Sequence, residues 1–152
     1  MTNRRSIAIL VFAPLLLAMA AGQLADLGGF RGILEDYRAL GGAEGAAAVV
    51  IPAVEVLAGA ALLARRRLPR PAVGAAAAGG VLVAVFWSAL TMQAFARGLA
   101  LDNCGCFGVY LGQSLRWWVL LEDAEFLLLA GLSVRAIGRR PRLHWRFAAA
   151  RP

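Results

Sequence analysis

Cys104 and Cys106 are the only cysteines of this 152-residue chain, and their spacing favours chemistry. One glycine, Gly105, separates them, so the two sulfur atoms can meet, but the ring that they would close is small. A disulfide in such a ring departs from relaxed geometry, stores strain and is labile. It would also restrain few residues of the unfolded chain and therefore stabilise the fold little. The pair is thus typical of a redox-active centre for thiol–disulfide exchange.

Three alternatives for the pair stay open at this point: a structural disulfide, an inert pair of thiols, and a ligand set for a soft metal such as copper(I) or zinc. A full metal site would need ligands from elsewhere, because the single histidine, His144, lies in the C-terminal tail. A further hypothesis is a non-enzymatic membrane scaffold or maturation factor that binds a partner through its loops. Exchange would require a thioredoxin-like or exported disulfide-containing partner. A quinone is a cofactor that could complete the electron circuit.

The composition predicts that the chain is embedded in a lipid bilayer. Hydrophobic residues make up 61% of the chain, charged residues make up 16%, and the mean hydropathy is +0.69. Soluble domains average about 45–50% apolar and about 25% charged residues. This composition excludes a disordered chain, and two cysteines are too few for a disulfide-stapled mini-protein. The net charge of +7 consists of arginines that we interpret as topology signals, so we expect no nucleic-acid partner.

Four apolar runs are long enough to cross a membrane as helices. They cover about 6–25, 46–64, 72–95 and 117–137. We predict one all-α membrane domain over 1–152, a bundle of four transmembrane helices, with a basic cytoplasmic tail over 138–152. Small residues at 58–61 and 75–80 predict close approach between helices. The first run could instead be a cleaved signal peptide, but its apolar length favours a retained helix.

The arginines predict the orientation of the bundle. With the amino terminus inside, twelve arginines fall in cytoplasmic segments and four in outer segments. This bias predicts a multi-pass protein of the bacterial cytoplasmic (inner) membrane, with both termini cytoplasmic and the cysteine loop on the extracytoplasmic side. The first outer loop contains apolar residues that share one helical face and predict a short interfacial helix: Phe30, Ile33, Leu34, Tyr37 and Leu40.

Acidic residues inside the apolar runs are the second chemical signal, because carboxylates in a bilayer are usually paired or functional. Glu55 follows Pro52 in the second run and could brace a kink there. Three acids lie within the first two turns of the fourth run, where a carboxylate could exchange a proton with a thiol. The alternative is that these acids form ion pairs with Arg31, Arg97 or Arg116. The predicted supporting residues are Glu55, Arg97, Asp102, Glu122, Asp123 and Glu125.

The order of these features resembles the MauE-like membrane proteins, named for methylamine utilisation and related to the DoxX-type four-helix proteins. The resemblance covers about 6–138 and rests on five segments: Asp36-Tyr37-Arg38, Pro52 with Glu55 and Gly59, Arg97-Gly98, Cys104-Gly105-Cys106-Phe107-Gly108, and Asp123. It implies a cytoplasmic-membrane protein that works on disulfides of exported proteins. It further implies that Cys104 and Cys106 are the redox pair and that Glu55, Arg97 and Asp123 support them.

Overall fold

The computed structural model describes residues 4–138 and contains five α-helices in that range. The helices are α1 (Arg4–Ala25), α2 (Leu27–Asp36), α3 (Glu44–Leu63), α4 (Arg70–Ala96) and α5 (Trp117–Gly138). The four long helices begin and end within two residues of the bounds expected from the apolar runs. The predicted basic tail lies outside the described residues, apart from Gly138.

The four long helices form a ring in which each one packs against two others. Around the ring the order is α1, α3, α4 and α5, and α5 closes it against α1. Phe12 of α1 meets Phe126 of α5, with ring centroids 5.1 Å apart. The predicted close approaches are confirmed at Gly59 and Gly80. A Cβ at Gly59 would lie 2.9 Å from the Ala13 carbonyl oxygen, and one at Gly80 would lie 2.8 Å from the Phe12 ring.

Three of the helices are long and apolar enough to cross a membrane: 7–25 of α1, α3 and α4. Their outward faces carry large apolar side chains such as Leu57 and Leu82, which are 70% and 68% exposed. Such faces are suited to contact with lipid, because hydrocarbon is as apolar as these side chains. Helix α5 is 22 residues long, but three carboxylates and Arg135 interrupt its apolar sequence, so composition alone does not add it to this set.

Helix α2 lies in the connection between α1 and α3 and packs against α3. The Asp26 side chain caps its first turn by accepting a hydrogen bond from the Gly29 backbone N–H at 2.9 Å. Phe30, Leu34 and Tyr37 are fully buried, which confirms the predicted helix and its apolar face. This short helix therefore brings Tyr37 to the end of the bundle where the cysteine loop, residues 97–116, connects α4 to α5.

Candidate functional site: the cysteine loop

The two thiols lie side by side at the end of the bundle. The Sγ atoms of Cys104 and Cys106 are 3.6 Å apart and are not bonded to each other. A disulfide needs about 2.05 Å between the sulfur atoms, so a small rotation of the side chains would join them. Cys104 is buried, with 3% of its surface exposed, whereas Cys106 is only partly buried. As a residue, Cys106 therefore has more exposed surface than Cys104.

The backbone between the cysteines is a tight turn that the local sequence specifies. The Asn103 side chain accepts a hydrogen bond from the Gly105 N–H at 2.8 Å and donates one to the Gly108 carbonyl at 3.0 Å. Gly105 has a φ of +81°, in the left-handed region that glycine adopts without strain. A Cβ there would also lie 2.7 Å from Cγ2 of Ile33. Glycine at this position is therefore required both by the turn and by the contact with α2.

Two buried side chains hold the carbonyl groups of the two cysteines. The Tyr37 hydroxyl donates to the Cys104 carbonyl at 2.8 Å. The Gln23 amide donates to the Cys106 carbonyl at 3.0 Å. Burial raises the pKa of Tyr37 above its ordinary range, so the hydroxyl keeps its proton and remains a donor. The position of both thiols is thus fixed from the bundle below the loop, through α1 and the end of α2.

Glu55 connects this anchoring to the rest of the bundle. Its Oε1 accepts hydrogen bonds from the Gln23 amide and from the Trp87 indole N–H, both at 3.2 Å. All three side chains are fully buried. Residues of α1, α3 and α4 therefore share one acceptor atom directly below Cys106. This contact is a hydrogen-bonded junction between three helices. The predicted brace of a kink at Pro52 stays a prediction.

The neighbouring thiols change each other's acidity in opposite directions. The hydrogen bond from Cys106 lowers the pKa of Cys104, because it stabilises the Cys104 thiolate. The same hydrogen bond, together with burial, raises the pKa of Cys106 well above its ordinary value. In the reduced pair Cys104 is therefore the thiol that ionises more readily.

A cavity of about 290 Å³ opens beside the pair, between α1, α4 and α5. We call it the thiol cavity; its lining comprises Leu15, Met19, Trp87, Cys104, Cys106, Phe107, Gln113, Val119, Glu122, Asp123, Glu125, Phe126 and Leu129. Asp123 is 7% exposed, and its Oδ2 has no hydrogen-bond partner among the described residues. Glu122 and Glu125 are exposed and lie at the rim, where the Gln113 amide donates to both Glu122 oxygens at 3.0 and 3.1 Å.

The remaining predicted supporting residues lie away from the cavity. Arg97 donates to the backbone carbonyls of Tyr37 and Arg38, at 3.1 and 3.3 Å, and so holds the end of α2. Asp102 is exposed and lines a separate polar groove with Asp36. The structure therefore brings Glu55 and the three acids of α5 near the thiols, but it does not bring Arg97 or Asp102 there.

The expected ion pairs of the α5 acids are wrong for the part of the chain that the structure describes. Arg31 pairs with Glu35 at 2.8 Å, within α2. Arg97 bonds to carbonyl and amide oxygens, and Arg116 lies over the Trp118 ring, 5.4 Å from its centroid. The physical reason is reach, because each arginine finds an acceptor or an aromatic ring close to its own helix end. The three acids of α5 instead line the thiol cavity.

Sequence reasoning missed Gln23, Trp87 and Gln113 as site residues. Gln23 carried a usable signal, since it is the one strongly polar side chain in an otherwise apolar run and it lies near the end of that run. The Gln93 amide of α4 donates to the Tyr37 carbonyl at 3.3 Å. Within residues 4–138, no group of three or more histidine, cysteine or acidic side chains is arranged to hold a metal ion.

The fold and the site together define a helical protein with several apolar helices of membrane-spanning length and a loop that carries a cysteine pair. A sequence model of the family described as "Methylamine utilisation protein MauE" matches residues 4–136. The chain therefore belongs to the MauE family. The relation to DoxX-type proteins stays a prediction.

One curated relative supports the same assignment. The chain is 32% identical over 125 residues to "Methylamine utilization protein MauE" of Paracoccus denitrificans, a match that covers 81% of this chain. The matched region spans 64% of the length of that relative. No solved structure matches the chain.

Proposed function

We propose that the chain is a four-span protein of the cytoplasmic membrane, with both termini inside and the cysteine loop outside. The arginine distribution supports this orientation, with twelve on one side and four on the other. Helix α5 is the fourth span in this proposal, since it closes the ring between α1 and α4 and directs the buried Asp123 inward. Its two exposed acids, Glu122 and Glu125, lie at the end beside the loop, where they can reach the polar boundary.

We propose that the activity is thiol–disulfide exchange with an exported or thioredoxin-like protein. The observation that carries the proposal is the placement of two thiols 3.6 Å apart on a turn whose two carbonyls are both held by buried donors. The partner would be an exported protein that gains a disulfide, and methylamine utilisation is the process that the name of the relative indicates.

The geometry supports a direction for the reaction. A thiolate of the partner attacks the sulfur of Cys106, the residue of the pair with more exposed surface, the bond between the two cysteines breaks, and Cys104 leaves as a thiolate. A second thiolate of the partner then attacks the mixed disulfide, and Cys106 leaves. The partner gains one disulfide, and the pair returns to two thiols. In this scheme Cys106 forms the mixed disulfide and Cys104 is the leaving group.

Trapping of mixed disulfides in cells tests this scheme. The Cys104→Ser variant keeps the Cys106 thiol, which can attack the disulfide of an oxidised partner in the reverse direction, and it lacks the Cys104 thiol that would release the resulting mixed disulfide. We expect it to accumulate reductant-sensitive adducts with an exported protein, identified by mass spectrometry. The Cys106→Ser variant keeps only the buried thiol and should accumulate at least about tenfold less adduct, because attack requires access to the sulfur. The double-serine variant is the matched blank.

Two results would contradict the scheme. Absence of adducts in both single variants would argue against exchange and favour a scaffold that works without its thiols. Adducts formed mainly with cytoplasmic proteins would contradict the outward orientation of the loop.

A further inference from the structure

We propose that the thiol cavity binds the ring of a lipid-soluble quinone and that this quinone reoxidises Cys104 and Cys106. The inference rests on the proposed exchange activity and adds the electron acceptor. A pair that hands its disulfide to a partner is left reduced, and this chain has no other cysteine to pass the electrons onward. The acceptor must therefore reach the pair directly, and the thiol cavity is lined by both cysteines.

The size and the walls of the cavity fit one ring. Pockets for small molecules typically enclose about 300–1,000 Å³, so a cavity of about 290 Å³ has room for a compact head group and none for a long tail. Trp87, Phe107 and Phe126 contribute aromatic surface, on which a flat conjugated ring can stack or pack edge-on. Leu15, Met19 and Leu129 contribute the remaining apolar wall.

The position of the cavity fits a ligand that arrives from the bilayer. Its lining on α1 includes Leu15, which lies seven residues or about 10 Å along the helix from Gly22, where α1 contacts the loop. On α5 it reaches Leu129, in the middle of that helix. Both leucines are partly buried, and their neighbours Pro14 and Leu128 are exposed on the outer face of the bundle. A quinone tail could therefore remain in lipid while its ring enters between α1 and α5.

The charges of the cavity favour a neutral ligand that takes up protons. Three carboxylates and no arginine occur among the described residues that line it, so an anionic ligand would be repelled. Asp123 lines the cavity with 7% of its surface exposed, and its carboxyl group has the Thr91 hydroxyl as a neighbour. At this wall a protonated carboxyl group can donate to a quinone oxygen, and a carboxylate can accept from the quinol hydroxyl.

The reaction balances without a further reactant. The two S–H bonds break and one S–S bond forms between Cys104 and Cys106, which releases two electrons and two protons. The quinone takes both and gains two O–H bonds to become the quinol. Asp123 holds one proton at the buried wall, and Glu122 and Glu125 at the rim connect the cavity to water. The quinol then exchanges with the bilayer pool.

Anaerobic reduction of a ubiquinone analogue with a decyl tail tests this site. Purified, fully reduced protein in detergent should convert one quinone to quinol for each disulfide formed, followed by quinone absorbance and by alkylation of the remaining thiols. The Leu129→Trp variant fills the cavity and should slow this reaction at least about tenfold, which corresponds to about 1.4 kcal/mol. The Leu128→Trp variant, one residue along α5 on its exposed face, should react like the parent protein.

Leu15→Phe fills the cavity from the opposite helix and provides a second variant if Leu129→Trp does not fold; it should slow the reaction as well. Exchange with a reduced dithiol peptide is measured on the same wild-type sample, starting from the oxidised pair. Exchange with the peptide but no reduction of the quinone would overturn the quinone site and leave the proposed function intact. Equal rates in Leu128→Trp and both cavity-filling variants would overturn the cavity as its location. Failure of both reactions in the wild-type protein would instead overturn the proposed function.

Discussion

Replacing Glu55 by leucine is expected to lower the free energy of unfolding by about 2–6 kcal/mol, because two buried donors lose their shared acceptor and each such loss costs about 1–3 kcal/mol. These donors are the Trp87 indole and the Gln23 amide, both fully buried. Glu55→Gln keeps a carbonyl oxygen at the same position and should stay within about 1 kcal/mol of the parent protein. The measurement is denaturant-induced unfolding in mixed micelles, followed by tryptophan fluorescence.

The same substitution should also disturb the thiols, although Glu55 does not touch them. Gln23 bonds to Glu55 and to the Cys106 carbonyl, so a loosened Gln23 releases the loop. A displacement of about 1 Å at a reacting group can slow a reaction by about 10²-fold, and we expect a loss of that order in exchange with a dithiol peptide. Glu44→Leu is the matched control on the same helix, since the Glu44 carboxylate accepts only an exposed backbone bond, from Gly42.

Two results would contradict this role of Glu55. If Glu55→Gln were as damaging as Glu55→Leu, the charge of the carboxylate and not its hydrogen bonds would be the essential property. If Glu55→Leu exchanged disulfides at the parent rate, the connection from α3 and α4 to the loop would have no functional part.

Gly22→Ala is expected to displace the cysteine loop from the bundle. The new Cβ would collide with the backbone carbonyl of Phe107, and backbone atoms cannot rotate out of the way as a side chain can. Overpacking of this kind costs about 1–3 kcal/mol, and here the movement falls on the residue next to Cys106. We expect disulfide formation between the two cysteines, on addition of oxidised glutathione, to slow by about 10²-fold.

Gly131→Ala is the matched control for this substitution. Gly131 also lies within a long helix, and a Cβ there would meet nothing within 4 Å. Alanine at such a position favours the helix by up to about 1 kcal/mol, so this variant should be as stable as the parent protein or slightly more stable. Equal effects of the two substitutions, on stability and on the rate of disulfide formation, would show that the loop does not depend on contact with α1 at Gly22.

The positions of the helices could be predicted from the sequence because the length of an apolar run limits where a membrane-spanning helix begins and ends. The face that α2 buries followed in the same way from the spacing of its apolar residues. The number of spans did not follow as simply, since the acids of α5 that line the cavity are also the residues that make this helix less apolar. In this chain, the acids that line the site also lower the hydropathy by which a membrane-spanning helix is recognised.

The contacts that hold the site could not be predicted, because they depend on how the helices are rotated against one another. Glu55 lies 32 residues from each of Gln23 and Trp87, and no local pattern relates residues so far apart. The cysteine loop was recognised as the place of the chemistry from residue types alone. Its attachment to Gln23 and Tyr37 required the folded chain, as did the finding that Cys104 is more buried as a residue than Cys106.

The central claim is that Cys104 and Cys106 form a reversible redox couple, and a thiol count across a series of glutathione buffers tests it most directly. Purified protein is equilibrated at each ratio of reduced to oxidised glutathione, alkylated, and weighed by mass spectrometry, with copper and zinc measured on the same sample. We predict a single two-electron transition between two free thiols and none, in which a tenfold change in the equilibrium ratio corresponds to about 29.6 mV. Two thiols that stay reduced at every ratio, or that are masked by stoichiometric bound metal, would contradict the account.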